Sequence, residues 1–415
     1  MSGMRRTLTP IALAAATTAV ALMAPAALAA EDGAIVLGAA ISESGKYSTN
    51  GQHTRNGYNL ALERINEAGG VKVGDKTYTL EIIYYDDEST PARGAQLAER
   101  LINQDGVQFM LGPYSSGLTK AIAPVTEKYK IPMVEGNGAS RSLFTQGYRY
   151  LFAVLSTSEQ YLASSIQLAA EMAQGAGEAA ADVKVAMAFE NDPFSQDVRA
   201  GVLSDAESNG MAIVIDDKLP PELNDMAATL TKVRALKPDV LAVSGHAKGA
   251  ATAIRQVAEM RVDVPMLAMT HCDSAQVIKK FGTDAEYALC ATQWAPTMAY
   301  SGRWFGSAAD YAKTFEERYG YAPPYQAAES TASVLTFVDA FERAGTLDRE
   351  AVRDALAATD IATFYGNIRF DETGKNVAKP MALYQIQGGQ YRVVAPLEWA
   401  EAELIWPRPD WSERE

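Results

Sequence analysis

The chain has 415 residues, 48% of them hydrophobic, and a formal net charge of -14. That length exceeds one compact core and suits two domains or three. The acidic balance argues against a nucleic-acid partner, whose affinity comes mainly from Lys and Arg on phosphates.

Arg5 and Arg6 form a basic n-region, Ile11 to Ala24 an apolar h-region, and Ala27-Leu28-Ala29 an A-x-A cleavage site. The apolar run is shorter than the ~20 residues of a membrane-spanning helix. The residues after the Arg pair, Thr7-Leu8-Thr9, match a twin-arginine signal weakly, so a Sec-type signal peptide over 1–29 is expected. No other segment is apolar enough to span, which predicts a mature chain released into the periplasm. With no cysteine near the cleavage site, a lipid anchor is not expected.

AIVLGAAI (34–41) reads as a buried strand, followed by the polar turn SESGKYSTNG. A helix is expected from about Gln52 to Ala68, with Tyr58, Leu62 and Ile65 on its inner face and Gly69-Gly70 ending it. YTLEIIYY (78–85) is a second strand, ending in Asp86-Asp87-Glu88-Ser89. Thr90-Pro91 reads as an N-cap with proline at the first helical position, and Leu97, Leu101 and Ile102 form that helix's buried face. VQFML (107–111), the turn around Tyr114-Ser115-Ser116-Gly117, a helix, IPMV (131–134) and the turn Gly136 to Ser140 then form a strand–helix–strand unit.

The alternation continues through a helix over 158–174, a small flexible link (Gly175 to Ala181) and the strand VKVAMAF (183–189). Asp192-Pro193 repeats the cap-plus-proline signal. Beyond it come strand MAIVI, helix 225–236, strand DVLAVSG, helix 248–260, strand PMLAM, helix 274–281 and strand YALCATQW. Strands alternating with helices imply right-handed crossovers and parallel sheets. After Trp294-Ala295-Pro296 three helices are expected, over about 307–319, 326–344 and 348–358. An extended YGNIRFDETG segment follows, then a closing hairpin of MALYQIQ and YRVVAP around Gly388-Gly389. The tail 399–415 shows no regular pattern.

The polar turns gather at the carboxyl ends of the strands, where open α/β sheets bind small ligands. They include Ser44 to Gly51 with Asn50, Tyr114 to Gly117, Asn137 to Ser140, Glu190 to Ser195, Ser244 to Gly249 and Thr270 to Asp273. They offer hydrogen-bond donors and backbone amides, with almost no adjacent nucleophile–base pairs, which suits holding a ligand better than transforming one. Ser115, Ser116 and Gly117 open a helix, whose free N–H groups attract an anion; plain N-capping is the alternative. Gly136-Asn137-Gly138 begins like a dinucleotide fingerprint but continues with Arg141 in the third glycine's place. His246 and His271 lie on strand-end turns, as a ligand-bonding pair or as structural residues, and no G-x-S-x-G elbow accompanies them. His53 reads as a helix-surface residue. Tyr47, Tyr114, Phe194, Trp294 and Trp304 are candidates to wall a pocket, with Tyr114 and Phe194 foremost because each sits inside a polar turn.

Cys272 and Cys290 could pair in an oxidising compartment, although each falls in or beside an apolar run that suits a buried free thiol. Neither a C-x-x-C pair nor a histidine cluster is present, so no metal and no other cofactor is expected, and no catalytic residue is assigned.

The turn SESGKYSTNG, the helix end NLALERINEAGGV, the Asp86-Asp87 strand end, GPYSSG with IPMVEGNGAS, ENDPFSQ and FYGNIRFDETGKN together resemble the substrate-binding proteins of branched-chain amino-acid-type ABC transporters. The resemblance covers nearly the whole mature chain. It implies an α/β fold of two Rossmann-like lobes with parallel sheets joined by a three-crossing hinge, the type I periplasmic binding fold. By the family's order, the first lobe takes about 30–155 and 295–380, and the second about 156–294 and 381–398. The resemblance places a ligand carboxylate at Ser115, Ser116, Gly138, Ala139 and Ser140, and an aromatic from the second lobe at Phe194. It departs where the family has a glutamate for the ligand's ammonium, since Thr270-His271-Cys272-Asp273 supplies none. The expected function is therefore that of a monomeric extracytoplasmic solute-binding protein. It would deliver a small carboxylate, an amino acid or an aromatic or aliphatic acid, to an inner-membrane ABC permease. A sensing module of the same fold, or a hydrolase or dehydrogenase using His246 or His271, are the rival readings.

Overall fold

A computed structural model describes Met1 and residues 33–414, so the expected export signal lies outside the described residues. The first apolar runs become β1 Ala34–Ile41, β2 Val71–Val73, β3 Lys76–Asp86, β4 Phe109–Leu111, β5 Met133–Glu135 and β6 Leu151–Ala153. They form one sheet in the order β2-β3-β1-β4-β5-β6, in which only the β2–β3 pair is antiparallel. β7 Lys184–Glu190, β8 Ala212–Leu219, β9 Val240–Ser244, β10 Met266–Met269 and β11 Leu289–Thr292 begin a second sheet. Two small hairpins follow, β12 Ser301–Gly302 with β13 Gly306–Ser307 and β14 Asp360–Thr363 with β15 Gly366–Arg369. The closing hairpin, β16 Ala382–Gln387 and β17 Gln390–Ala395, then returns to the second sheet and pairs antiparallel with β11. The finished order is β17-β16-β11-β10-β9-β7-β8.

Within each sheet the parallel strands follow one plan. The chain lays a strand on one side of the first, then reverses and adds the rest on the other side. The reversal falls between β1 and β4 in one sheet and between β7 and β9 in the other. At such a switch point two neighbouring loops diverge and leave a crevice at the strands' carboxyl ends.

Eleven helices cover these sheets among the described residues: α1 Ser48–Glu67, α2 Pro91–Asn103, α3 Ser116–Tyr129, α4 Ala163–Gly175, α5 Pro193–Ser208, α6 Ala227–Leu236, α7 Ala247–Glu259, α8 Val277–Phe281, α9 Ala308–Tyr319, α10 Tyr325–Ala344 and α11 Arg349–Ala357. α10 packs along α1 and against β2 and β5, so the helices late in sequence return to the first sheet. Nearly every residue of α10 up to Phe341 is buried. α1 lies close against it because Gly57 has no side chain: a Cβ there would fall 2.2 Å from the Ala327 carbonyl oxygen. His53, Thr54 and Asn56 of α1 are buried as well, His53 against Tyr321 and the Ser274 carbonyl and Asn56 against Tyr321. The expectation of a surface His53 is thus corrected.

Three other expectations change. α8 spans only Val277–Phe281, because Gln276 adopts a left-handed φ of 53° and Asp273 and Ser274 are held in a turn. Thr90 occupies the N-cap position before Pro91, but its side chain makes no cap hydrogen bond. Cys272, just beyond β10, and Cys290 in β11 are joined in a disulfide, the alternative to the buried free thiol.

The chain passes between the sheets three times, after β6, after β11 and after β15, and the three passages are tied together. The Ser156 N–H donates to Gln293 Oε1 (3.1 Å), Gln293 Nε2 donates back to the Ser156 carbonyl (2.9 Å), and Ser156 Oγ donates to the Lys379 carbonyl (2.6 Å). Gln293 Nε2 also reaches Tyr161 Oη at 3.0 Å. Trp294, expected as a candidate pocket wall, is instead core: it is buried against Tyr311 and Phe364 and donates to the Phe364 carbonyl. Trp304 lies under Arg303 beside Phe305 and Ile361, away from the strand-end loops.

Candidate functional site

The loops at the two switch points meet. From the first sheet, the turn after β1 carries Tyr47 and the turn after β4 carries Tyr114 and Ser115. From the second, the turn after β7 carries Asp192, the first turn of α5 carries Phe194, and the turn after β9 carries His246. Tyr47, Tyr114, Phe194, His246 and His271 are all buried. Tyr47 packs edge-on against Tyr114 and His246, while Phe194 packs against His246, His271 and Tyr161. Tyr325, the first residue of α10, completes the wall beside His271 and Tyr161.

A line of hydrogen bonds runs through this aromatic group from one sheet's loops to the other's. Asp192 Oδ2 lies 2.7 Å from His246 Nε2, His246 Nδ1 lies 2.7 Å from Tyr114 Oη, and Tyr114 Oη lies 3.0 Å from His271 Nε2. Asp192 is fixed by its second oxygen, which caps α5 by accepting from the Ser195 N–H at 2.7 Å. Burial opposes a charge on His246, but the Asp192 carboxylate beside it prevails and the imidazole pKa is raised. His271, equally buried, faces an imidazole instead, and its pKa is held well below the ordinary value by burial and by His246.

Asp–His–hydroxyl is also the form of a nucleophile relay. Here the hydroxyl is a phenol whose pKa burial pushes further up, and a second imidazole closes off its other side. The donor groups of Glu190, Asp192 and His246 lie within 4.8 Å of one another. They are engaged with one another and with Lys46, whose ammonium stands 3.9 Å from Glu190 Oε1, as a compact ion cluster.

The two hydroxyl-rich turns of the first sheet come together as well. Ser115 caps α3, accepting from the Leu118 N–H, and it holds a left-handed φ of 85°. Such strain in a non-glycine residue gathers at functional sites. Ser116 Oγ accepts the Ser140 N–H at 3.0 Å, joining the turn after β4 to the turn after β5. The turn after β5 is largely satisfied internally. Glu135 folds back beneath it and accepts from the Asn137 and Gly138 N–H groups and from Thr119 Oγ1. Gly112 makes room for that carboxyl, since a Cβ there would fall 2.1 Å from Glu135 Oε2. Burial, only partly offset by these donors, pushes the Glu135 pKa up to about 7. Ser140 Oγ donates to Asp197 Oδ2 across the gap at 2.6 Å, and the Ala139 carbonyl accepts the Ser158 N–H. The Gly138 N–H and the Ser140 hydroxyl are therefore already committed.

Asn50, at the start of α1, is buried with its Nδ2 unpartnered. Further buried atoms without a hydrogen bond are Asn137 Oδ1, His271 Nδ1, Tyr325 Oη and both amide atoms of Gln326. Asn137 Nδ2 donates to Ser330 Oγ, one turn along α10 from Gln326. Tyr325 and Gln326 were not among the sequence candidates. Their available signal is the Pro323-Pro324 pair, which fixes where α10 begins. Asp273, the one carboxylate of the Thr270-His271-Cys272-Asp273 turn, accepts the Tyr325 and Ser274 N–H groups, and burial pushes its pKa up to about 6.

Comparison with known proteins adds three findings. Residues 34–390 match a family model described as periplasmic binding protein. The Leu/Ile/Val-binding protein BraC3 of Rhizobium johnstonii is 24% identical over 90% of this chain and 96% of its own length. Among solved structures, the branched-chain amino acid transporter substrate-binding protein LivJ of Streptococcus pneumoniae, in complex with isoleucine, superposes with a TM-score of 0.76 at 22% identity, covering 90% of this chain and all of that one. A solute-binding protein of an ABC transporter from R. palustris, in complex with benzoate, gives 0.75 at 18% identity, covering 87% and 96%.

Proposed function

The chain belongs to the periplasmic binding protein family, and from that premise we propose that it is the extracytoplasmic receptor of an ABC importer. It closes its two lobes on a small carboxylate and presents the closed form to an inner-membrane permease. The observation that carries this reading is the joining of the two serine turns, Ser116 to Ser140, opposite the wall of Phe194, His246 and His271. The lobes proposed are 30–155 with 295–380 and 156–294 with 381–398. Their boundaries fall on the three passages that Ser156, Gln293 and Lys379 tie together.

The carboxylate belongs at the start of α3, where the Ser115 and Ser116 hydroxyl protons and the first helical N–H groups can converge on it. Ser140 acts more as a clamp, because Asp197 already accepts its hydroxyl and would repel a second carboxylate. Of the two carboxylates nearest the wall, neither is free for a ligand ammonium: Asp192 is paired with His246, and Asp273 holds two backbone N–H groups. Together with the ring-lined wall, this favours an aromatic or aliphatic acid over an amino acid.

A thermal-shift screen of amino acids, aromatic acids and small dicarboxylates tests the reading. A true ligand at 100 times its Kd adds about 2.7 kcal/mol of stability, and the shift should vanish in the Ser115→Ala, Ser116→Ala double variant. If no acid in the screen stabilises the protein, the reading fails.

A further inference from the structure

A cavity of about 460 Å³ opens between the two proposed lobes. The first lobe contributes Lys46, Ser48 and Thr49 to its wall, and the second contributes Ala247, Lys248 and Lys280. We propose that this cavity takes an anionic oxygen group, a carboxylate or a phosphate, held by both lobes at once. The inference rests on the reading that the lobes close on an acid. It adds a second anionic group, carried either by that acid or by a free anion beside it.

Charge points this way. Three lysines line the cavity against one carboxylate, Glu222, in a chain whose net charge is -14. Glu222 Oε2 pairs with Lys248 at 2.7 Å. Lys46 stands 3.9 Å from Glu190 Oε1, which also accepts the Glu222 N–H, and 4.6 Å from the centre of the Tyr47 ring. Lys280, exposed on α8, has no carboxylate partner among the described residues.

Helix direction points the same way. Ser48 and Thr49 begin α1 while Ala247 and Lys248 begin α7, so two helix N-termini from different lobes meet at the cavity. Neither N-cap residue, Tyr47 or His246, caps its helix with a side chain, and neither first turn holds an acidic residue. The free N–H groups of such a terminus carry partial positive charge. A lysine there opposes the helix dipole, so Lys46 and Lys248 are of no use to the helices they precede or open. An anion between them is attracted by both helices and by the lysines. Asn50, in the same first turn of α1 and 1% exposed, adds an amide donor with no acceptor.

The cavity adjoins the ring cluster beside Ser115. Lys46 and Ser48 flank Tyr47, and Ala247 follows His246. Those two rings pack on each other at 4.6 Å and on Tyr114 at 5.4 and 5.5 Å.

Calorimetric titration of the mature chain at pH 7 and fixed ionic strength tests this. The probes are matched acids, benzoate against terephthalate and hexanoate against adipate, and inorganic phosphate alone. If the group belongs to the ligand of the cleft, the diacid of a pair binds about tenfold tighter or more, the worth of one hydrogen bond to a charged group. If a free anion fills the cavity, phosphate binds saturably by itself. In either case the Lys248→Gln, Lys280→Gln double variant, altered at two exposed positions, removes the effect and leaves monoacid binding unchanged, and added salt weakens it. The inference is overturned if no diacid outdoes its monoacid and phosphate does no more than sodium chloride, or if the effect persists in the double variant. Should no acid bind at all, the carboxylate site at Ser115 and Ser116 fails, while the phosphate titration still decides this one.

Discussion

The hinge and the cleft are both buried and both polar, yet they treat their polar atoms in opposite ways. At the hinge, Gln293 and Ser156 exchange hydrogen bonds, Ser156 also holds the Lys379 carbonyl, and the Lys379 ammonium donates to the Tyr365 carbonyl over two tyrosine rings. At the cleft, Asn50, Asn137, His271, Tyr325 and Gln326 keep unpartnered atoms, and three of the bonds that do exist run from lobe to lobe. A joint that opens and closes needs anchors whose bonds survive both positions. A binding surface instead needs groups that are costly to leave alone, because a ligand gains by completing them.

Three changes would break or sharpen that contrast. The largest effect is expected from Gln293→Ala, which strands the Ser156 N–H and carbonyl and Tyr161 Oη in the interior. At about 1–3 kcal/mol for each stranded group, a loss of about 4 kcal/mol in denaturant-measured stability is expected, with little change in ligand affinity for the molecules that remain folded. An equal loss of affinity would erase the distinction. Next comes Glu135→Gln. The Glu135 carboxyl has its pKa raised from 4.5 to about 7 on folding, so the fold prefers it protonated. Its contribution is full below pH 4.5 and is lost as pH rises through 7. Removing the charge should stabilise the protein by about 3 kcal/mol at pH 8 and hardly at all at pH 4, as read from melting curves at the two pH values. The smallest effect on stability belongs to the Ser115→Ala, Ser116→Ala pair. Losing the Ser115 cap costs about 1 kcal/mol, whereas two hydrogen bonds to a charged group are worth about 3 kcal/mol in binding, or over a hundredfold in Kd by calorimetry.

Much of the two sheets was legible in the residues, whereas the three crossings were expected only from the family resemblance. Periodicity marked β1 at its observed bounds, and the cap-plus-proline pairs at Thr90-Pro91 and Asp192-Pro193 marked where α2 and α5 begin. The cleft was legible only as a set of loops. Which side chains would touch depends on pairs such as Tyr114 with His246 and His271, separated by 132 and 157 positions, and no local pattern encodes them. His53 misled for the same reason. Its own neighbours on α1 look like a polar face, and the residues that cover it, Tyr321 and Ser274, lie 268 and 221 positions away. The disulfide was undecidable from two cysteines in apolar runs. It became so placed because β10 and β11 are parallel neighbours.

The hairpin of β16 and β17 has one more consequence. The second sheet is bounded on one side by a hairpin that leaves the ribosome after every other described strand, so β11 waits for its neighbour while the other strands of its sheet are already made. An unpaired strand in that position is an invitation to another chain. A polypeptide cut short before residue 382 would therefore be less half a binding protein than a seed for aggregation, and its handling before folding matters as much as its final form.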